Sequence, residues 1–128
     1  MKTILIVDDD ESMRKIMGRR IAQWGYRVAT AADGAEAIQQ AGAQPPPDIV
    51  LLDIMMPGLD GLEVCRRLTQ GASTRNIPVI LISAKASQIS GEQVAAAGAF
   101  ASLQKPYDPS DLQRRIAEAI AKKEKQQS

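Results

Sequence analysis

Three short stretches of the chain consist of aliphatic side chains, with no alternation between apolar and polar positions. They are Ile4–Val7, Ile49–Leu52 and Val79–Ile82, and β-branched residues are frequent in them. Runs of this length and composition are typical of strands that are buried on both faces, as in a parallel sheet covered by helices. We therefore predict three central strands.

Two weaker strands are also predicted. Tyr26–Ala31 contains Arg27 and Thr30, which suit the edge of a sheet, and it ends near a turn signal. Ala99–Gln104 is the fifth candidate, and the chain reaches Pro106 directly after it.

Between the strands, apolar residues recur at spacings of three and four, which predicts amphipathic helices. In Ser12–Trp24 the apolar positions are Met13, Ile16, Met17, Ile21 and Trp24. The other predicted helices are Ala35–Ala41, Leu62–Leu68, Ser90–Ala97 and Ser110–Lys122. The fourth is the weakest because Gly91 lowers helix propensity by roughly 1 kcal/mol, although Ser90 and Gln93 match a capping box.

Strands and helices alternate along the whole chain, which predicts an α/β fold. We expect a flavodoxin-like, doubly wound, five-stranded parallel sheet with strand order 2-1-3-4-5 and five helices. Residues 1–122 would form one domain, and residues 123–128 would be a polar tail that frays or the stump of a linker.

Composition narrows the possible functions. The 128 residues carry 16 Lys and Arg against 15 Asp and Glu, and aromatic residues make up 3%. This balance argues against direct nucleic-acid binding and against a polybasic membrane surface. No apolar run approaches the roughly 18 residues of a membrane span, and the start does not resemble a signal peptide, so we expect a cytoplasmic protein.

Histidine is absent and cysteine occurs once, which excludes several kinds of catalytic and metal site. The chain has no histidine, so it contains no imidazole base, no histidine metal ligand and no phosphohistidine of its own. Its single cysteine, Cys65, excludes an internal disulfide and a zinc site built from cysteines.

Side chains with complementary chemistry follow four of the predicted strands. They are Asp8, Asp9, Asp53, Ser83 and Lys105. The carboxyl ends of parallel strands meet at one edge of the sheet, which is where such folds bind ligands. Clustered carboxylates repel one another unless a cation joins them, and an oxygen-only cluster suits Mg²⁺. The lysine and the metal could together neutralise a phosphoryl group.

Each of these features also has an ordinary structural explanation. An acidic run after a strand can be the solvated start of a helix, and Asp53 could cap a turn. A lysine before a proline, such as Lys105, is usually a surface residue. A functional role is favoured over these separate structural explanations because all of these residues are expected at the same edge of the sheet.

Four segments together resemble a response regulator receiver domain, the phosphoacceptor module of two-component signalling. The segments are Ile4–Asp10, Asp53–Gly61, Leu81–Ala84 and Leu103–Pro106. The second segment is the most specific of the four, and the resemblance extends from Lys2 to about Lys122.

The resemblance implies a role for each residue at the sheet edge. Asp53 would be phosphorylated, Lys105 would contact the phosphoryl group, and Ser83 would be the switch hydroxyl. The implied Mg²⁺ ligands are Asp9, Asp53 and the backbone carbonyl of Met55 directly, with Asp8 acting through a metal-bound water. The family also implies a cis bond before Pro106.

One position departs from the family pattern. Receiver domains usually carry Tyr or Phe three residues before the lysine, and its ring moves inward with the hydroxyl. This chain has Ser102 there, so no large ring can follow Ser83.

The resemblance implies a phosphoacceptor that assists its own phosphorylation and dephosphorylation rather than an enzyme. The phosphoryl donor would be a histidine kinase or a histidine-containing phosphotransfer protein, and the output target is unknown. An aspartyl-nucleophile phosphohydrolase is the alternative, but such enzymes commonly place Asp-x-Asp after the first strand, whereas this chain has the contiguous pair Asp8 and Asp9. A non-phosphorylated scaffold would be indicated by loss of Asp53 or Lys105, and both are present.

Overall fold

A five-stranded parallel sheet with helices on both faces forms the body of the protein. The computed structural model describes residues 1–55, 60–84 and 89–127. Its strands are β1 (Thr3–Val7), β2 (Arg27–Ala31), β3 (Ile49–Asp53), β4 (Val79–Ser83) and β5 (Ala101–Gln104). Its helices are α1 (Glu11–Gln23), α2 (Gly34–Ala41), α3 (Gly61–Gln70), α4 (Gly91–Ala96) and α5 (Pro109–Gln127). The strand order β2-β1-β3-β4-β5 confirms the predicted topology, with β2 at an edge.

Apolar and polar residues do not alternate along the central strands because each face of the sheet is covered by its own hydrophobic core. Successive side chains of a strand point to opposite faces of the sheet, so each strand supplies both cores. Leu5 and Leu52 pack with residues of α2 and α3 on one face. Ile4 and Leu51 pack with residues of α1 and α5 on the other face. Both faces are therefore buried, which leaves the strand ends as the place where polar side chains can gather.

Polar side chains cap the start of several helices. Asp10, Asp33 and Asp60 accept hydrogen bonds from backbone N–H groups in the first turns of α1, α2 and α3. Ser90 and Gln93 form the predicted capping box at the start of α4. Asp10, the third aspartate of the acidic run after β1, is thus a helix cap.

The prediction that Ile16 belongs to the apolar stripe of α1 is wrong. Ile16 is 51% exposed, whereas Met17 and Ile21 are buried against the sheet. The stripe that contacts the sheet is narrower than the pattern suggested, because one helix face meets a flat surface and a residue at its margin turns to solvent.

The predicted end of the last helix at Lys122 is also wrong, since α5 continues to Gln127. Lys123 lies 3.5 Å from Asp48, and Glu124 lies 3.2 Å from Lys2. These ion pairs hold the polar segment against the end of the sheet where β1 and β3 begin. The predicted domain boundary at residue 122 stays a prediction.

No helix within the described ranges has both the length and the apolar character needed to cross a membrane. Residues 56–59, in the middle of the most specific of the four segments, lie outside the described residues.

Candidate functional site

The fold brings four of the sequence-predicted site residues to one edge of the sheet. Asp8 directly follows β1, Asp53 and Ser83 are the last residues of β3 and β4, and Lys105 directly follows β5. Asp8, Asp53 and Ser83 are buried residues, with 3%, 7% and 5% exposure. Polar groups this deeply buried need hydrogen-bond or charge partners, and each carboxylate has them.

Asp53 is held from two sides. Its Oδ1 accepts a hydrogen bond of 2.8 Å from the backbone N–H of Met55. Its Oδ2 lies 3.2 Å from Nζ of Lys105, a residue 52 positions away in the chain. The two contacts orient the carboxylate and place one positive charge beside it.

Asp8 occupies a less favourable electrostatic environment. Burial is the main cause that raises the pKa of its carboxyl above the ordinary value, and the neighbouring charge of Asp53 raises that pKa further. The backbone N–H of Asp10, which donates to Asp8 Oδ1 at 2.9 Å, and the charge of Lys105 act in the opposite direction. The pair of buried carboxylates thus has more negative charge than Lys105 offsets, and this chemistry fits a divalent cation.

The four groups that the family resemblance implies as Mg²⁺ ligands differ in burial. Asp8 and Asp53 are adjacent and buried, whereas Asp9 is exposed. Among the described residues, no group of three or more Asp, Glu, His or Cys side chains is gathered closely enough to hold a metal ion. Met55 is 56% exposed, and its backbone N–H is bonded to Asp53 Oδ1. The assignments of Asp9 and of the Met55 carbonyl as ligands stay predictions.

Lys105 and Ser83 are joined through the backbone. The Lys105 N–H donates to the Ser83 carbonyl at 2.7 Å, which extends the pairing of β4 and β5 to the site edge. The peptide bond between Lys105 and Pro106 is cis, as the family resemblance implied. The hydroxyl and the ammonium group are therefore carried by adjacent, paired segments.

Two residues near the site were not found by the sequence analysis. Arg14 donates from its guanidinium to the backbone carbonyl of Asp8 at 2.7 Å. It lies four residues after the cap of α1, a spacing that could have indicated a side chain reaching back to the end of β1. Tyr107 follows the cis bond, and burial is the main cause that raises the pKa of its phenol.

Ser102 and Cys65 lie on the strand and the helix that were predicted to contain them, β5 and α3. Ser102 is exposed on β5, paired in register with Leu81 of β4. Cys65 is fully buried in α3, and burial raises the pKa of its thiol to about 12. The cysteine is thus a core residue and not a nucleophile.

Comparison with known proteins relates this geometry to one family. Residues 4–117 match the family model described as response regulator receiver domain. The chain is 42% identical over 113 residues to the response regulator PleD of Caulobacter vibrioides, covering 88% of this chain and 25% of that protein. It is 34% identical over 123 residues to the transcriptional regulatory protein PhoP of Bacillus subtilis, covering 96% of this chain and 50% of that protein. The chain therefore spans a quarter to a half of the length of these two relatives.

A solved structure with a similar sequence has the same fold. The receiver domain of a sensor histidine kinase from Pseudomonas aeruginosa superposes with a TM-score of 0.83 and is 32% identical, covering 94% of this chain and 98% of that one. That structure has a magnesium ion coordinated in its active-site cleft.

Proposed function

This chain belongs to the response regulator receiver domain family, and on that premise we propose that it is a phosphoacceptor in which Asp53 receives the phosphoryl group. The observation that carries the proposal is the buried Asp53 carboxylate, whose Oδ2 lies 3.2 Å from the ammonium group of Lys105. A carboxylate at the end of a central strand, oriented by a backbone N–H and a lysine, is suited to in-line attack on phosphorus.

The transfer step follows from the groups present. An oxygen of Asp53 forms a bond to phosphorus while the bond from phosphorus to the donor nitrogen or oxygen breaks, and the electron pair leaves with the donor. When the donor is a phosphohistidine, its imidazole takes up a proton from solvent. Lys105 offsets negative charge on the phosphoryl oxygens throughout. Since the chain has no histidine, the phosphohistidine must belong to a histidine kinase or a phosphotransfer protein.

Mg²⁺ fits the excess of negative charge at Asp8 and Asp53. We propose Asp9, Asp53 and the Met55 carbonyl as its direct ligands, with Asp8 acting through a metal-bound water. When bound, the ion would neutralise the carboxylates and the incoming phosphoryl oxygens. The raised pKa of Asp8 is consistent with a site that is electrostatically incomplete without a cation.

We assign Ser83 as the hydroxyl that reads the phosphorylated state. It is buried at the end of β4, and its carbonyl is bonded to the Lys105 N–H. A hydrogen bond from its hydroxyl to a phosphoryl oxygen would draw β4 and the segment after it towards Asp53. Such a bond can only shift the balance between conformations that the protein already samples.

The comparisons do not favour the phosphohydrolase or scaffold alternatives, because the family match is to receiver domains and both Asp53 and Lys105 are present. The proposal therefore describes a phosphoacceptor rather than an enzyme with its own substrate. We place it in the cytoplasm, and we propose no nucleic-acid or membrane contact for this domain.

Intact-mass measurement after incubation with Mg²⁺ and acetyl phosphate tests the proposal. We expect the parent protein to gain one phosphoryl group that is labile in base, and Asp53→Asn to gain none. Asp33→Asn is the matched control, because Asp33 is an exposed helix cap and asparagine caps equally well. An undiminished adduct in Asp53→Asn, or no adduct in the parent, would contradict the assignment.

A further inference from the structure

A cavity lies at the end of the sheet opposite Asp53, and the phosphoacceptor function does not use it. Its volume is about 420 Å³, within the range of roughly 300–1,000 Å³ that is usual for small-molecule sites. It is bounded by the end of α3, the segment that leads into β4, the turn between α4 and β5, and the last part of α5. The side chains that give it chemical character are Gln70, Arg75, Asn76, Phe100, Lys122 and Lys123.

The charge of this cavity has one sign. Arg75, Lys122 and Lys123 contribute to its lining, and none of the described residues that line it is acidic. Lys123 is paired with Asp48 at 3.5 Å. Arg75 and Lys122 have no carboxylate within ion-pair distance among the residues that the structure describes. Two positive charges are therefore left without local compensation.

Many cations elsewhere on the described surface are paired with carboxylates of their own helix. Arg66 and Arg67 share Glu63 on α3, and Arg114 contacts Asp111 and Glu118 on α5. By contrast, Arg75, in the segment after α3, and Lys122 of α5 have no such partner among the described residues, and both line the cavity. Concentrated charge of one sign in a concave site attracts ligands of the opposite sign.

The wall of the cavity is built by close packing. Gly98, in the turn between α4 and β5, has a φ of 79°, and a Cβ added there would lie 2.7 Å from Oγ1 of Thr69. Thr69 in turn donates to the carbonyl of Ala97 at 2.8 Å. Next to this wall, Nζ of Lys122 lies 5.5 Å from the ring centroid of Phe100, which keeps the ammonium group at the cavity. The site therefore has fixed walls as well as charge.

We propose that this cavity binds a small phosphorylated organic molecule. The planar guanidinium of Arg75 can bind a phosphate in a bidentate manner, and the two lysines act as point charges. The side-chain amides of Gln70 and Asn76 can hydrogen-bond to the remainder of the ligand. None of these groups belongs to the Asp53 site, so binding here does not require phosphorylation or Mg²⁺.

Calorimetric titration of the full chain in EDTA at physiological ionic strength tests this proposal, with pyrophosphate and ADP as probes. We expect saturable binding of at least one probe with a submillimolar Kd, and amide shifts in NMR spectra at Asn76, Gly98 and Phe100. The double variant Arg75→Gln/Lys122→Gln should bind at least tenfold more weakly. Asp53→Asn should bind as the parent does, which separates this site from the phosphoacceptor site.

The matched control removes the same charge elsewhere. Lys15 and Arg19 are exposed on α1, away from the cavity, so Lys15→Gln/Arg19→Gln should bind within twofold of the parent. Equal weakening in both double variants would mean nonspecific attraction and would overturn the proposal. The absence of saturable binding would also overturn it, as would amide shifts centred on the Asp53 edge of the sheet. Citrate binding as tightly as pyrophosphate would overturn it too, because the site would then not discriminate phosphate from carboxylate.

Discussion

At the scale of single residues, Asp8 shows how a functional site costs stability. Its carboxyl is buried beside Asp53, and burial and that neighbouring charge raise its pKa above 3.8. The folded protein therefore binds a proton at Asp8 more tightly than the unfolded chain does. The contribution of Asp8 to stability falls as the pH rises from 3.8 through the raised pKa, and the penalty is complete only above that raised pKa.

We expect Asp8→Asn to raise the Tm of the metal-free protein at pH 7, because asparagine removes the buried charge and still accepts the hydrogen bond from Asp10 N–H. Each kcal/mol of stability gained corresponds to about 3–5 °C in a domain of this size. The gain should shrink as the pH is lowered towards 3.8. Thermal unfolding in EDTA, followed by circular dichroism at several pH values, measures this effect.

The same variant tests the metal assignment. Mg²⁺ should raise the Tm of the parent by mass action and have a much smaller effect on Asp8→Asn. Asp33→Asn should respond to Mg²⁺ as the parent does. If Asp8→Asn lost stability in EDTA at pH 7, or kept the full response to Mg²⁺, the electrostatic account of this site would be wrong.

At the scale of elements, the starts of α3 and α4 differ although each helix begins with glycine directly after its cap. A Cβ on Gly61 would lie 2.3 Å from Cα of Ile54, the residue that follows Asp53. A Cβ on Gly91 would meet nothing within 4 Å. The first glycine is required by close backbone approach beside the acceptor, whereas the second only costs conformational entropy.

We therefore expect opposite effects of the same substitution at the two positions. Gly61→Ala should lower the free energy of unfolding by about 1–3 kcal/mol through overpacking, and it should slow phosphorylation by acetyl phosphate because Ile54 must move. Gly91→Ala should raise the free energy of unfolding by about 0.5–1 kcal/mol. Urea titration of the parent and both variants gives the values. Equal effects at both positions would show that the close approach at Ile54 does not constrain the start of α3.

At the scale of the whole molecule, the question is how far a change at Asp53 spreads. Ser83 and Lys105 connect β4 to β5 at the site through a backbone hydrogen bond of 2.7 Å. Ser102, two residues before the end of β5, is exposed and has no ring that could move between solvent and the interior. Burying such a ring would contribute about 1.5–3 kcal/mol, and this protein lacks that driving force for a change on the α5 side.

We expect the response to Mg²⁺ and beryllofluoride, a phosphoryl mimic, to be confined to the segments that follow β3 and β4. Amide shifts in NMR spectra should centre on residues 53–60 and 83–91 and be weak across the exposed face of α5, residues 113–122. Ser102→Tyr is the informative variant, because a restored ring should extend the shifts into α5. Large shifts there in the parent would show that the signal crosses β5 without an aromatic residue.

The sequence by itself determined the order of elements and the set of candidate site residues. Its aliphatic runs without alternation reflect burial on both faces, and residues that directly follow such strands must come to one edge of a parallel sheet. Asp8, Asp53, Ser83 and Lys105 were found in this way, and the structure places all four at that edge.

Only the tertiary structure decided which contacts these residues make. The exposure of Ile16, the extension of α5 through its ion pairs, and the approach of Arg14 to the Asp8 carbonyl depend on the surfaces that each helix meets. The 3.2 Å contact between Asp53 and Lys105 joins residues 52 positions apart. Local sequence patterns report the burial and conformation of a segment, whereas distances of this kind are set by the packing of the whole sheet and its helices.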